Sequence, residues 1–75
     1  MHKLLDTVAL THDLPGAGLR TGDVGAVVEV LAADAYEVEF VAASGRTQAL
    51  VTLADADVRA LGDQDLIAVR SLAAA

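Results

Sequence analysis

The sequence predicts an all-β fold, a small five-stranded barrel followed by a short C-terminal tail that is helical or irregular. Three observations lead there. Runs of strand-forming residues recur at intervals of about eight to twelve positions with turn residues between them. One of them, 35–41, alternates apolar and acidic residues without a break. The chain has 75 residues, 55% of them hydrophobic, which is enough for one compact core but not two, because so short a chain buries only about 60% of its unfolded surface. Closing the sheet into a barrel is expected, since closure protects the edges of apolar strands.

Thr7-Val8-Ala9-Leu10 predicts the first strand, and Leu14-Pro15-Gly16 marks a turn within the excursion that follows. Thr21-Gly22-Asp23 punctuates the chain again. The second strand runs over 24–31, where Val24, Ala26, Val28 and Val30 share one face at the strand period. Val27 and Leu31 occupy the other face. This predicts a strand that bends and serves both sides of a rolled sheet, with Gly25 relieving crowding at the bend. In the third strand, 35–41, Tyr36, Val38 and Phe40 point inward while Glu37 and Glu39 face water. The short connection makes the second and third strands an antiparallel hairpin. Ser44-Gly45 marks the next turn. The fourth strand, 47–53, places Ala49, Val51 and Leu53 inside, with the opposite register, Leu50 inward, left open. Ala54 to Asp57 reads as one helical turn before a last short strand over 58–61.

The barrel is thus expected over 4–61 and the tail over 62–75. Gly62-Asp63-Gln64-Asp65 can stop the barrel and cap a helix in which Leu66, Val69 and Leu72 recur every three residues, with Arg70 near the favourable end of its dipole. Leu66 to Val69 also reads as a strand. Alanines 73–75 have too little bulk to anchor anything and are expected to fray.

The segments Leu4-Leu5-Asp6-Thr7-Val8-Ala9-Leu10, Asp13-Leu14-Pro15, Gly22-Asp23-Val24-Gly25, Val27-Val28-Glu29-Val30, Tyr36-Glu37-Val38-Glu39-Phe40, Gly45-Arg46-Thr47 and Leu53 together resemble a family of small bacterial proteins catalogued as a domain of unknown function, number forty-nine twenty-six. The resemblance spans Leu4 to about Leu61 and implies an SH3-like small barrel. The Gly22-Asp23-Val24-Gly25 turn is also similar, over a short stretch, to ribosomal and transcription-factor barrels and to the barrel of the nitrile hydratase β subunit. Position 48 is Gln where relatives often carry an aromatic residue, and the tail has no counterpart. The family assigns no activity.

Composition narrows the function. Without cysteine there is no disulfide, thiolate zinc site or cysteine nucleophile. The formal net charge of −6 makes nucleic acid and anionic membranes unfavourable partners. No apolar run approaches the roughly 18 to 20 residues that cross a bilayer, and Asp6 follows Met1–Leu5 where a secretory leader would continue apolar. A cytoplasmic location is expected.

No residue set predicts catalysis, metal binding or a cofactor. His12-Asp13 has the composition of a base with an orienting carboxylate, but adjacent loop residues normally point apart. Ser44 sits in a Ser-Gly turn, where local hydrogen bonding explains it. Asp6, Asp23 and Asp63 stand where carboxylates cap backbone N–H groups. Gly22 and Gly25 lack the lysine and hydroxyl of a phosphate loop. The basic residues are dispersed, and the one Tyr and one Phe belong to the core, leaving no stacking platform for a single strand.

The candidate site is therefore a protein-binding surface: Glu29, Glu37 and Glu39 as an acidic outer face, and Leu66, Ile67, Val69 and Leu72 as an apolar tail. The expected function is a non-enzymatic module that binds another bacterial protein, as an antitoxin or immunity partner of a basic toxin or as an accessory subunit. Self-association through the tail is compatible with it. The alternative is a nucleic-acid-binding small barrel, which the architecture suggests and the charge opposes.

Overall fold

The computed structural model describes residues 1–72. Every expected strand is present: β1 (Thr7–Leu10), β2 (Val24–Ala32), β3 (Ala35–Val41), β4 (Thr47–Ala54) and β5 (Val58–Ala60). A 3-10 turn at Pro15–Ala17 lies in the excursion after β1, and a second at Asp55–Asp57 joins β4 to β5. The last strand ends one residue earlier than expected. The strands form one antiparallel sheet in the order β4-β3-β2-β1-β5. Its ends do not meet, so the expected closure into a barrel is not found. After the Asp55–Asp57 turn the chain joins the far side of the sheet on β1, and three residues of β5 are too few to bridge back to β4.

β3 carries the predicted alternation without change. Tyr36, Val38 and Phe40 are buried, while Glu37 and Glu39 between them face outward and are half-buried. Val8 and Leu10 of β1, Val27 of β2, Leu53 of β4, Val58 of β5 and Leu19 of the excursion complete the core. Ala49 and Val51 pack against it and Leu50 stays exposed, which resolves the register of β4.

Of the two apolar faces of β2, one turns to the core. Val24, Ala26 and Val28 are only half-buried and Val30 is exposed; the residues that point inward are Gly25 and Val27. The reason lies at Gly25. A Cβ there would meet the Glu39 carbonyl oxygen, a Phe40 ring carbon and a Val38 methyl, each at 2.9 Å. Glycine thus admits the large β3 side chains against the β2 backbone, and the glycine side becomes the core side. The expected bend follows, with register shifts between Val27 and Glu29 and between Val30 and Ala32.

The side chain of Tyr36 is fully buried and its hydroxyl is satisfied, as a buried phenol requires. It donates to Asp55 Oδ1 at 2.8 Å and accepts from the His2 backbone N–H at 3.0 Å. The His2 ring meets Tyr36 edge-on, with centroids 5.4 Å apart. Near-terminal His2 is therefore part of the packing, which its position in the sequence did not suggest.

The tail takes the irregular of its two expected forms: residues 61–72 contain turns but neither helix nor strand. The expectation of fraying at 73–75 lies outside the described residues.

Two substitutions test this core. Phe40→Ala should lower unfolding free energy by about 3–5 kcal/mol, and Gly25→Ala by about 1–3 kcal/mol through overpacking. Both are read from urea midpoints at unchanged slope. A Gly25→Ala variant as stable as the parent would contradict the close approach of β2 and β3.

Candidate functional site

The pleat of β3 fixes the acidic face. Because Tyr36, Val38 and Phe40 are drawn inward, Glu37 and Glu39 emerge together on the outside, and the register of the hairpin sets Glu29 directly opposite Glu37. The three predicted glutamates thus share one outer surface. Thr52 and Thr47 of β4 reach toward them: the Thr47 hydroxyl donates to Glu39 Oε2 at 2.6 Å and the Thr52 hydroxyl to Glu37 Oε1. Both carboxylates therefore lean across β4. Leu50, paired with Glu39, and Val41 beyond it are 56% and 52% exposed on the same side.

These glutamates have no cationic partner among the described residues. The ion pairs use aspartates instead, namely Asp23, Asp55, Asp57 and Asp65. Like charges placed directly opposite across a strand pair destabilise it, so the Glu29–Glu37 pairing is not explained by stability. Among the described residues no group of three or more His, Cys, Asp or Glu converges to hold a metal ion.

The apolar tail residues form the second part of the predicted surface and lie away from the glutamates in the chain. Leu66, Ile67 and Val69 are 91%, 66% and 98% exposed, and Leu72 is 47% exposed. Ion pairs hold the segment at both ends. Arg59 grips Asp65 through two contacts of 2.9 Å, which draws the Asp65 carboxyl down to about 2. Arg70 binds Asp23 at 2.9 and 2.5 Å and donates to the Gly18 carbonyl at 3.0 Å. The Arg70 guanidinium, before any other cause, lowers the pKa of Asp23. Arg70 is thus a clasp, not the cation at a helix end that the sequence suggested. Between tail and sheet runs a cleft of about 480 Å³, with Leu19, Phe40 and Gln48 on one wall and Ile67 and Val69 on the other.

Capping accounts for Asp6 and Asp23, which accept from the backbone N–H groups of Lys3 and Arg20 at 2.8 Å each. At the start of the tail Asp65, rather than Asp63, performs that role, accepting from Gly62 N–H at 2.7 Å. The Ser44 hydroxyl accepts from Arg46 N–H at 3.3 Å within its turn.

His12 and Asp13 do point apart. Asp13 accepts both the backbone N–H and the hydroxyl of Thr21 at 2.8 Å. His12 instead reaches Asp57 Oδ1 with Nε2 at 2.7 Å, while its Nδ1 lies 3.0 Å from the Asp13 carbonyl oxygen. Both ring nitrogens therefore face acceptors, an arrangement only the imidazolium satisfies fully. The bond to Asp57, followed by the one to the Asp13 carbonyl, raises the His12 pKa above 6.5. The Ala54 N–H, followed by His12, lowers that of Asp57. This clip ties the excursion after β1 to the Asp55–Asp57 turn.

The clip makes stability depend on pH. A raised folded-state His12 pKa contributes stability that is full below the unfolded value of 6.5 and is lost as pH rises through the folded value above it. The lowered Asp57 contributes above its ordinary 3.8 and fails as pH falls through its folded value. Melting temperature should therefore decline as pH rises above about 6.5, and His12→Asn should flatten that decline. A decline of equal slope in the variant would remove His12 as its cause.

No curated protein and no solved structure matches the chain. The profile of a family described as Domain of unknown function (DUF4926) matches residues 4–60, in line with the resemblance read over Leu4 to Leu61. With most of its length matched, the chain belongs to that family.

Proposed function

We propose that this protein is a non-enzymatic protein-binding module whose partner presents a basic surface, in the manner of an antitoxin or immunity protein or of an accessory subunit. One observation carries the reading: Glu29, Glu37 and Glu39 share an outer face with exposed Leu50 and Val41, and no cation of the described chain answers them. A surface that places Glu29 opposite Glu37 sacrifices some stability, and a cationic partner recovers it on binding. Leu50 and Val41 supply apolar area beside the charge, the mixture that interfaces use. The tail supports the same reading. Its exposed Leu66, Ile67 and Val69 lie between two ion-pair clasps, so part of the cost of ordering them is met before a partner arrives.

The scaffold we propose is an SH3-like small barrel left open between β4 and β5. The strand order, the long bent β2 shared by β1 and β3, and the 3-10 turn between β4 and β5 support it. The nucleic-acid reading draws no support from this surface, where three carboxylates would meet phosphates. We place the protein in the cytoplasm on the composition; no helix among the described residues is long and apolar enough to cross a membrane.

Glu29→Lys should raise stability by on the order of 0.5 kcal/mol, since it turns a like-charge pair into an opposite one. Loss of stability in that variant would mean the face is built for the fold alone. Full-length tagged protein should retain one stoichiometric basic protein from its native cells, and the double variant Glu37→Lys, Glu39→Lys should weaken that complex about tenfold or more. Recovery of nucleic acid with steep salt dependence would replace the proposal with nucleic-acid binding.

A further inference from the structure

The sheet has an unguarded edge. β4 stands at one end of the strand order, and from Ala49 to Ala54 its pairing with β3 is regular, the single shift lying at the other end, between Phe40 and Val41. Six residues in register give about 20 Å of strand. No other strand of the described chain pairs with the outer side of this stretch, and among the described residues the one backbone N–H of the stretch bonded from outside the sheet is that of Ala54, which donates to Asp57 Oδ2 at 2.8 Å. Soluble proteins usually blunt such an edge with Lys, a proline, an inward charge or a covering loop. The stretch Ala49-Leu50-Val51-Thr52-Leu53-Ala54 has no charged residue and no proline, and Leu50 is 56% exposed.

We infer that the open edge of β4 takes up an extended segment of a basic partner as a sixth, added strand, with basic and apolar residues alternating along that segment. This rests on the protein-binding reading and names where and how the partner docks. Main-chain hydrogen bonds supply the attachment, and side chains at alternate positions supply selectivity. On the outer side the added strand lies beside Leu50 and Thr52, with Glu37 and Glu39 one strand further on. About 9.6 Å, two strand spacings, separates its backbone from β3. A Lys or Arg stem bridges that gap because the hydroxyls of Thr47 and Thr52 already hold both carboxylates over β4. On the inner side the alternate residues meet Val51 and Leu53, the first half-buried and the second buried, and apolar side chains there extend the core.

Charge selects this occupant over a second copy of the chain. Another copy brings a further −6 of net charge, and its own β4 carries neither Lys nor Arg. A basic segment brings the missing counter-charge with the missing strand.

The test uses full-length protein and a capped peptide of about eight alternating Lys and Val residues. The same peptide methylated on alternate backbone nitrogens keeps the charge but loses its donors along one edge. We expect the unmethylated peptide to bind about tenfold or more tightly than the methylated one, and to slow amide exchange at alternate β4 residues between Ala49 and Leu53. Equal binding of the two peptides would overturn strand addition while leaving a charge-guided protein partner intact. No binding of either peptide, or protection away from β4, would overturn the inference as well. So would sedimentation of the protein alone as a dimer that protects the same β4 amides, because the edge would then belong to a second copy. The native complex, tested separately, decides the broader reading.

Discussion

The close approach of β2 and β3 at Gly25 sets the rest of the structure. Val38, Phe40 and the Glu39 carbonyl all lie where a side chain on that residue would stand, so the hairpin closes face to face only because the position carries none. Once it closes, the pleat leaves no choice: Tyr36, Val38 and Phe40 go inside, Glu37 and Glu39 go outside, and β4, in register with β3, turns Leu53 inward and Leu50 outward. The acidic face and the exposed apolar residues beside it are thus the reverse side of a packing decision made at one glycine.

Around that core the acids divide their labour. Six aspartates are consumed within the described chain: Asp6 and Asp13 accept backbone N–H groups, Asp23 and Asp65 hold arginines, Asp55 takes the Tyr36 hydroxyl, and Asp57 meets His12. Short carboxylates next to the backbone suit capping and turn closure. The glutamates lie on strands, where the longer side chain clears the sheet. Their contacts are to threonine hydroxyls or, for Glu29, to no hydrogen-bond donor among the described residues. A protein with few bases has committed Arg59 and Arg70 to holding its tail and His12 to a loop, and among the described residues no base forms an ion pair with a glutamate.

How much of this was legible in the sequence depends on the range of the interaction. The alternation of 35–41 gave β3 to the residue because each side chain reports its own face. The turns at Ser44-Gly45 and around Thr21-Gly22-Asp23 were equally local, with Gly22 and Gly45 at φ of 88° and 91°. The inward face of β2 stayed open in the sequence for a physical reason: five of its nine residues are Val or Leu, so hydrophobicity points both ways and only the absent Cβ of Gly25 decides. The acidic face was legible as a consequence of strand pairing, but the threonine bonds that tilt it were not. Arg70–Asp23, 47 residues apart, and His2–Tyr36, 34 apart, leave no periodic trace. Closure failed as an expectation because it was argued from the need to protect edges, and that need does not say who protects them.

That last failure bears on function. An edge that is long, uncharged and regular is a hazard to a lone chain in water, yet from Ala49 to Ala54 this edge carries no charge while three glutamates stand together nearby. The two features have one resolution between them. Net negative charge discourages copies of this chain from pairing with one another, and it does so without placing a lysine on β4 that would also repel a cationic strand. In the proposed strand addition, an acidic face next to this edge would disfavour self-pairing and favour a basic segment, a selectivity that a lysine on the edge would destroy.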